Sequence, residues 1–328
     1  MAPTKSQSSN KLLVGVLTNP LSGKNRQSTS IFAEMMSEYP EVAHLNVQTP
    51  GDVHAALVEL SRRRIDILVI NGGDGTVQAV LTTLRHHQPF AVQPQLVVLA
   101  GGTTNMIAGD VGVSGNRMKV LQRLVLWIQT GSGRITRVQR PVLRLDVPGH
   151  EIKYGMFFGA AGISRGIQYY QKNMHNKIFR GFPGICITVV HYLWRIVCHR
   201  NKFAAASQIT VIVNGRQPQK QEYILLFVST LERLFFGLHP FWGTENGPLR
   251  FTAVSSKARY LLRVLPFLAT GRCRDKGIPA NGYYSSNLNS VELYTAESVA
   301  LDGEIYAPES DQQPISLQNG GYINFLQL

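Results

Sequence analysis

Cysteine is scarce in this chain: 328 residues contain three, Cys186, Cys198 and Cys273. An odd count without CxxC spacing excludes a disulfide framework and a thiolate zinc site, and it fits a reducing cytoplasm. Long apolar runs are missing as well. A spanning helix needs roughly 18 to 20 uncharged apolar residues, and the nearest stretch, Ile185 to Val197, is interrupted by His191 and Arg195. The protein is therefore not expected to be an integral membrane protein. The opening MAPTKSQSSNK is polar and has neither the apolar core nor the small-residue cleavage site of a secretory signal, so it reads as a loose tail.

Acidic residues are the third scarcity, and they set a formal net charge of +13 at pH 7. From Ile152 to Gln221 there is no Asp or Glu, while Lys153, Arg165, Lys172, Lys177, Arg180, Arg195, Arg200, Lys202, Arg216 and Lys220 lie inside that span. Charge alone admits nucleic acid, an anionic membrane or an anionic small substrate. No nucleic-acid motif accompanies it, so nucleic-acid binding is set aside. An acid-free span of this length favours an anionic partner over a merely solvated face.

What is present, with 44% hydrophobic residues, suffices for two domains. The first part alternates apolar strand, glycine-containing turn and helix, the pattern of a parallel α/β sheet. Leu12 to Thr18 is a strand followed by Asn19-Pro20-Leu21-Ser22-Gly23-Lys24 and a helix from about Gln27 to Ser37. Ile65 to Ile70 is the next, followed by Asn71-Gly72-Gly73-Asp74-Gly75-Thr76 and a helix from Val77 to His87. Leu96 to Leu99 is the third, followed by Ala100-Gly101-Gly102-Thr103-Thr104-Asn105 and a helix. Leu45 to Thr49 reads as an edge strand, with Asp52 capping a helix through Arg63.

After Gly131-Ser132-Gly133 the texture changes to short alternating runs: Val142 to Val147, Tyr154 to Ala160, Gln208 to Val213, Tyr223 to Ser229, Leu249 to Val254, Ser290 to Thr295 and Gly320 to Leu326. These predict an antiparallel β-sandwich or barrel-like unit with helices inserted near residues 170–200 and 256–270. The boundary falls at 133/134: residues 11–133 form the first domain, 134–328 the second.

The turn at residues 71–76 is where chemistry is expected. Glycines after a buried strand let backbone amides approach phosphate oxygens, and the following helix N-terminus adds positive potential. The spacing is neither GxGxxG nor GxxxxGK[ST], so neither a dinucleotide dehydrogenase nor a P-loop enzyme is indicated. A carboxylate among phosphate-binding glycines repels unless a cation intervenes, which makes Asp74 a candidate for holding Mg²⁺ or positioning the phosphate acceptor. The plainer alternative is an N-cap for the helix that follows. Strands of one parallel sheet deliver their C-terminal loops to a common crevice, so the three glycine turns are expected to converge.

NPLSGK, GGDGT, a GTTN turn and the late Leu301-Asp302-Gly303-Glu304, in this order and spacing, resemble the diacylglycerol kinase catalytic family, which includes bacterial lipid kinases and sphingosine kinases and is related to NAD kinases. The resemblance covers nearly the whole chain. It implies an NAD-kinase-like α/β domain binding ATP with Mg²⁺, a β-rich domain binding a lipid, a cleft between them, and a last strand returning toward the first domain. It puts Asn19, Pro20, Ser22, Gly23 and Thr49 at the nucleotide, Gly72, Gly73, Asp74, Gly75 and Thr76 at the triphosphate, and Thr103 at the closing edge. Glu304, with Asp302 beside it, would be the general base for a lipid hydroxyl attacking the γ-phosphate. Without the family, LDGE is a tight turn with two surface acids.

The sequence departs from the pattern in three places. Ala79 stands where the family writes Glu, Met106 where an Asp commonly follows GTTN, and Asn246-Gly247 where bacterial relatives place an Asp-Gly metal site. Ile178 to Lys202 and Arg259 to Arg274 mix aromatic and aliphatic residues with flanking basic ones, the composition of interfacial helices. The expectation is a cytoplasmic lipid kinase of phospholipid metabolism, peripheral at an anionic inner membrane face, with diacylglycerol as the first candidate acceptor. The oligomeric state stays open, a homodimer included. The rival readings are a catalytically inactive lipid- or nucleotide-binding protein of the same fold, which Ala79 and Asn246 favour, and an NAD-kinase-like enzyme.

Overall fold

The computed structural model describes residues 12–23, 25–27, 34, 38–40, 42–113, 115–173, 206–273 and 279–327. The parallel unit is built from β1 (Val14–Thr18), β2 (Ala43–Asn46), β3 (Ile67–Gly72) and β4 (Gln95–Ala100), paired in the order β2-β1-β3-β4. Every residue of β1 and β3 is buried, which is why they read as unbroken apolar runs. Leu57 and Leu60 of α1 (Pro50–Arg62) and Val77, Val80 and Leu81 of α2 (Asp74–Thr82) cover one face. Val120, Leu121 and Leu124 of α4 (Arg117–Thr130) cover the other, against Val16, Val69 and Val97. Between them, the short α3 (Met106–Val111) follows the turn after β4.

Beyond α4 the strands run mainly antiparallel: β5 (Thr136–Asp146), β6 (Lys153–Gly155), β7 (Phe157–Ala161), β8 (Ser207–Val213), β9 (Gln219–Ser229), β10 (Leu249–Ser255), β11 (Tyr283–Leu288), β12 (Ser290–Tyr294), β13 (Val299–Leu301), β14 (Glu304–Tyr306) and β15 (Ile315–Gln327). Two described helices are inserted, α5 (Gly162–Asn173) after β7 and α6 (Leu261–Ala269) after β10. Leu143, Phe158, Leu226, Phe251 and Leu317 belong to the core of this unit. Parallel strands first and antiparallel strands later is the fold class expected.

The two halves share one hydrogen-bonded sheet, and β15 joins them. It runs antiparallel to β5 and β12 and pairs in parallel with β4 through Phe325 and Leu96.

Several element boundaries correct the sequence reading. Thr49 is the N-cap of α1, with its side chain accepting from the Asp52 amide at 3.2 Å, so Asp52 is the return partner of a capping box and not the cap. The helix expected from Val77 begins at Asp74, and its last residues, Thr83–His87, form a π turn. The edge strand lies at Ala43–Asn46, before the expected Leu45 to Thr49, because Thr49 is needed as a cap. The run Tyr154 to Ala160 breaks at Met156 into β6 and β7. The run ending at Leu326 begins at Ile315; a register irregularity between Asn319 and Tyr322, beside Gly320 and Gly321, hides its first half. The helix proposed for residues 27–37, Lys24 and the interfacial segment 178–202 lie outside, or almost wholly outside, the described residues. Among the described residues no helix is long and apolar enough to cross a membrane.

Phe325 is fully buried on the strand that joins the halves. Phe325→Ala is expected to cost about 3–5 kcal/mol, the usual range for a buried phenylalanine. Denaturant unfolding measures this, and a loss comparable to that of an exposed substitution such as Val92→Ala would show that β15 does not hold the halves together.

Candidate active site

The first turn is stitched to the second by side chains. The Asn19 amide donates to the Asn71 carbonyl at 3.0 Å, and Asn19 Nδ2 donates to Thr76 Oγ1 at 3.0 Å. Pro20 follows Asn19 in a tight turn closed by the Ser22 amide to the Asn19 carbonyl, 3.2 Å. Ser22 Oγ accepts from the Gly73 amide at 3.1 Å. Buried Asn25 Nδ2 donates to the carbonyls of Asn19 and Asn71, at 2.7 and 2.9 Å, while the Arg117 guanidinium at the head of α4 bonds Asn25 Oδ1 and Asn71 Oδ1.

The second and third turns touch through glycine. A Cβ on Gly102 would lie 2.5 Å from Gly73 Cα, and one on Gly101 would lie 2.9 Å from the Gly72 amide nitrogen. One on Gly23 would meet Thr103 Oγ1 at 2.6 Å, so Thr103 closes the cluster from the far side. Asn19, Pro20, Ser22, Gly23, Gly72, Gly73, Thr76 and Thr103 are therefore brought together. Thr49 is exposed, and its hydroxyl is taken up by the capping box.

Asp74 heads α2, yet it caps a different helix: its Oδ2 and Oδ1 accept from the amides of Met106 and Ile107, both at 3.1 Å, at the start of α3. The N-cap of α2 itself is Gly73. Met106, the departure after GTTN, thus takes part through its backbone. Burial raises the Asp74 pKa above the ordinary carboxylate range, and the Ile107, Met106 and Asn105 amides oppose that shift.

β13 and β14 form a hairpin whose two turn residues, Asp302 and Gly303, have φ of 48° and 94°, as a tight Asp-Gly hairpin turn requires. Asp302 is buried and is no surface acid. Its carboxylate accepts from the amides of Met156, 3.0 Å, and Phe157, 2.9 Å, at the break between β6 and β7. Burial, and then the charge of Asp74, raise the Asp302 pKa well above the ordinary 3.8. Buried Gln78 of α2 fixes the hairpin, donating to the Leu301 carbonyl at 3.0 Å and to the Tyr306 hydroxyl at 3.2 Å. Glu304 is exposed, and its Oε1 lies 3.1 Å from where a Cβ on Gly75 would stand. The LDGE carboxylate thus reaches the GGDGT turn across more than two hundred residues of sequence.

Sequence reasoning missed Gln78, Asn25 and Arg117. Gln78 stood next to the conspicuous Ala79, which packs partly buried against the core. Asn25 follows directly on the first motif, whereas nothing in spacing marks Arg117.

Among the described residues no three His, Cys, Asp or Glu side chains gather as a metal cage. Mg²⁺ does not need one, being commonly held by one or two carboxylates with substrate phosphates and waters. Asp74 and Asp302, acceptor-only when ionised and near enough for one charge to raise the other's pKa, are a donor pair that fits such a hard cation. At the site proposed from bacterial relatives, Asn246 is exposed, and the adjacent Glu245 Oε2 accepts from the Asn287 amide at 2.9 Å.

The family model of the diacylglycerol kinase catalytic domain matches residues 13–133. Over that stretch the resemblance drawn from the motifs is borne out. It is 36% identical over 64 residues to "Probable lipid kinase YegS-like" from Stenotrophomonas maltophilia, a stretch covering 19% of this chain and 21% of that protein. The crystal structure of a diacylglycerol kinase from Bacillus anthracis superposes with a TM-score of 0.58 at 17% identity, over 95% of each chain. A second structure from the same organism gives a TM-score of 0.61 at 19% identity, over 95% of this chain and 96% of that one. At such identities these structures speak for the fold.

Two measurements test the geometry. Gly102→Ala must separate two backbones, so it is expected to lower stability by about 1–3 kcal/mol; Gly75→Ala meets only the end of a flexible Glu304 side chain and is expected to melt close to the unmodified protein. Equal melting temperatures for both would refute the close packing of the turns. The second concerns Asp302. Its folded-state pKa is raised above 3.8, so the folded protein binds more protons than the unfolded chain above that pH, and stability falls as pH rises through the folded pKa. The stability of the unmodified protein relative to Asp302→Asn is therefore expected to decline from pH 4 upward. A difference that grows with pH would contradict burial as the dominant cause.

Proposed function

We propose that this chain transfers the γ-phosphoryl group of ATP to a lipid hydroxyl, with diacylglycerol the first candidate acceptor and Glu304 the general base. The observation that carries the reading is the position of the Glu304 carboxylate against Gly75, at the mouth of the glycine turns. A phosphate held by backbone amides at the start of α2 would leave the acceptor hydroxyl between it and that carboxylate. The N-terminal amides of a helix have no partner inside their own helix and favour anions.

In this reading Asn19, Ser22, Gly23, Gly72 to Thr76 and Thr103 shape the triphosphate pocket. Asp74 and Asp302 would hold Mg²⁺, which when bound neutralises charge on the transferring phosphates. Glu304 takes the hydroxyl proton as the oxygen attacks, and its exposure lets it pass the proton to solvent. Gln78 and Asp302 position that base by fixing the hairpin that carries it. Ala79 and Asn246 favour the second reading, a non-catalytic binder; the carboxylate missing at Ala79 would have stood partly buried beside Gln78.

Transfer from labelled ATP with Mg²⁺ into lipids in mixed micelles decides between them. Glu304→Gln is expected to lower kcat by roughly 10²–10⁴-fold, the usual contribution of a general base, with nucleotide affinity unchanged. Undiminished transfer would remove Glu304 from the role. Nucleotide binding without transfer to any lipid by the unmodified protein would establish the non-catalytic reading.

A further inference from the structure

Phe236, Tyr260 and Leu262 are 54%, 61% and 63% exposed, among the most exposed large apolar side chains described. Two of them are held in backbone conformations that bulky residues avoid: Phe236 has φ 60° and Tyr260 φ 57°, both left-handed. Such strain persists only where surrounding contacts impose it. Here the contacts are visible. Phe236 sits in the short turn Phe235–Gly237, closed by the Leu234 amide to the Leu238 carbonyl at 2.8 Å and followed by the His239 amide donating to the Ala269 carbonyl at 2.9 Å. That last bond fastens the turn to the end of α6. Tyr260 is the N-cap of α6, and its carbonyl accepts from the amides of Arg263 and Val264.

α6 divides cleanly. Val264 and Leu268 are buried with Ile224, Val254, Ala258, Cys273 and Tyr283, whereas Leu262, Arg263 and Pro266 face solvent. Along the stretch that carries α6 the charge has one sign. From Asn246 to Arg274 the sequence has no Asp or Glu, and Lys257, Arg259, Arg263 and Arg272 are exposed there. None of these four is in an ion pair among the described residues. Glu222 lies beside Lys257's neighbour Ser256, whose Oγ donates to its carboxylate at 3.0 Å.

We infer that the outer face of α6, with the Phe236 turn beside it, docks on an anionic lipid bilayer. The inference rests on the lipid-kinase reading only for its purpose, presenting the site to a membrane-borne acceptor. Its physical basis is separate: exposed apolar side chains that enter the headgroup layer, ringed by cations that attract its charge. Tyr260 suits the boundary itself, with an apolar ring and a polar tip. A nucleic acid would use the arginines but not Leu262 and Pro266, and a second copy of this chain would bring the same positive charge against itself.

The test is co-sedimentation of the full chain with phosphatidylcholine vesicles and with vesicles in which phosphatidylglycerol replaces part of the phosphatidylcholine. Binding is expected to be stronger to the anionic vesicles and to weaken with salt. Arg259→Gln and Arg263→Gln are each expected to lower it roughly fivefold, and Phe236→Ser with Leu262→Gln about tenfold or more. These side chains are exposed, so circular dichroism and melting should match the unmodified protein. Binding that is equal on both vesicle types, or undiminished in the quadruple variant that combines Arg259→Gln, Arg263→Gln, Phe236→Ser and Leu262→Gln, overturns the inference. So does a concentration-dependent mass in sedimentation velocity that the quadruple variant abolishes, since the face would then be a self-association surface. Phosphoryl transfer to a short-chain, water-soluble diacylglycerol serves as the control: its absence in the unmodified protein counts against the kinase reading and leaves the vesicle result standing.

Discussion

The site depends on two backbones being allowed to touch. Gly72–Gly73, leaving β3, and Gly101–Gly102, leaving β4, approach so closely that a Cβ on Gly102 would overlap Gly73 Cα. Adjacent strands of a parallel sheet deliver their loops to the same edge, but side chains at the first loop positions would hold the two backbones apart. Removing the side chains lets the loops lean together, and Asp74 can then bond the first amides of α3, an element that belongs to the other loop. The glycines thus set the distance between the N-termini of α2 and α3.

The second half of the molecule reaches these turns through a buried charge. Asp302 makes no sense as a stabilising residue in isolation, since burying a carboxylate costs free energy unless hydrogen bonds or a counter-charge offset it. Its offsets are the Met156 and Phe157 amides, available only because the strand breaks between β6 and β7. The break, the Asp-Gly hairpin and Gln78 are one device: each supplies a group that another leaves unpaired. The remaining repulsion between Asp74 and Asp302 is what a nucleotide-bound cation would relieve.

How much of this the sequence disclosed follows from range. The parallel strands, the glycine turns and their convergence were legible, because burial on both faces and glycine-rich turns leave signals within ten residues. Without the family resemblance Asp302 read as a surface acid, since its partners Met156 and Phe157 lie nearly 150 positions away and contribute only backbone. Gln78 was invisible for the same reason: a glutamine in a helix is unremarkable until a hairpin with an unpaired carbonyl packs on it. Thr49 shows the reverse case. A local capping box in plain view in the sequence explains its placement, whereas the family resemblance assigned it to the nucleotide.

One chain of bonds runs from the glycine turns to the segment that leads to Phe236, and α3 carries it. The start of α3 is held by Asp74; near its end, Asp110 accepts from the Arg233 amide at 3.1 Å and pairs with Arg140 at 3.2 Å, which in turn pairs with Glu232. Arg233 opens the segment that leads within three residues to Phe236. α3 has six residues, so its two ends lie only about 9 Å apart. An ion pair in which Arg140 and Asp110 are both largely shielded, 15% and 3% exposed, resists separation because either charge alone would be left desolvated. Asp74 and the segment that leads to Phe236 are thus held at opposite ends of α3, and separating that segment from α3 would break the bond from the Arg233 amide to Asp110.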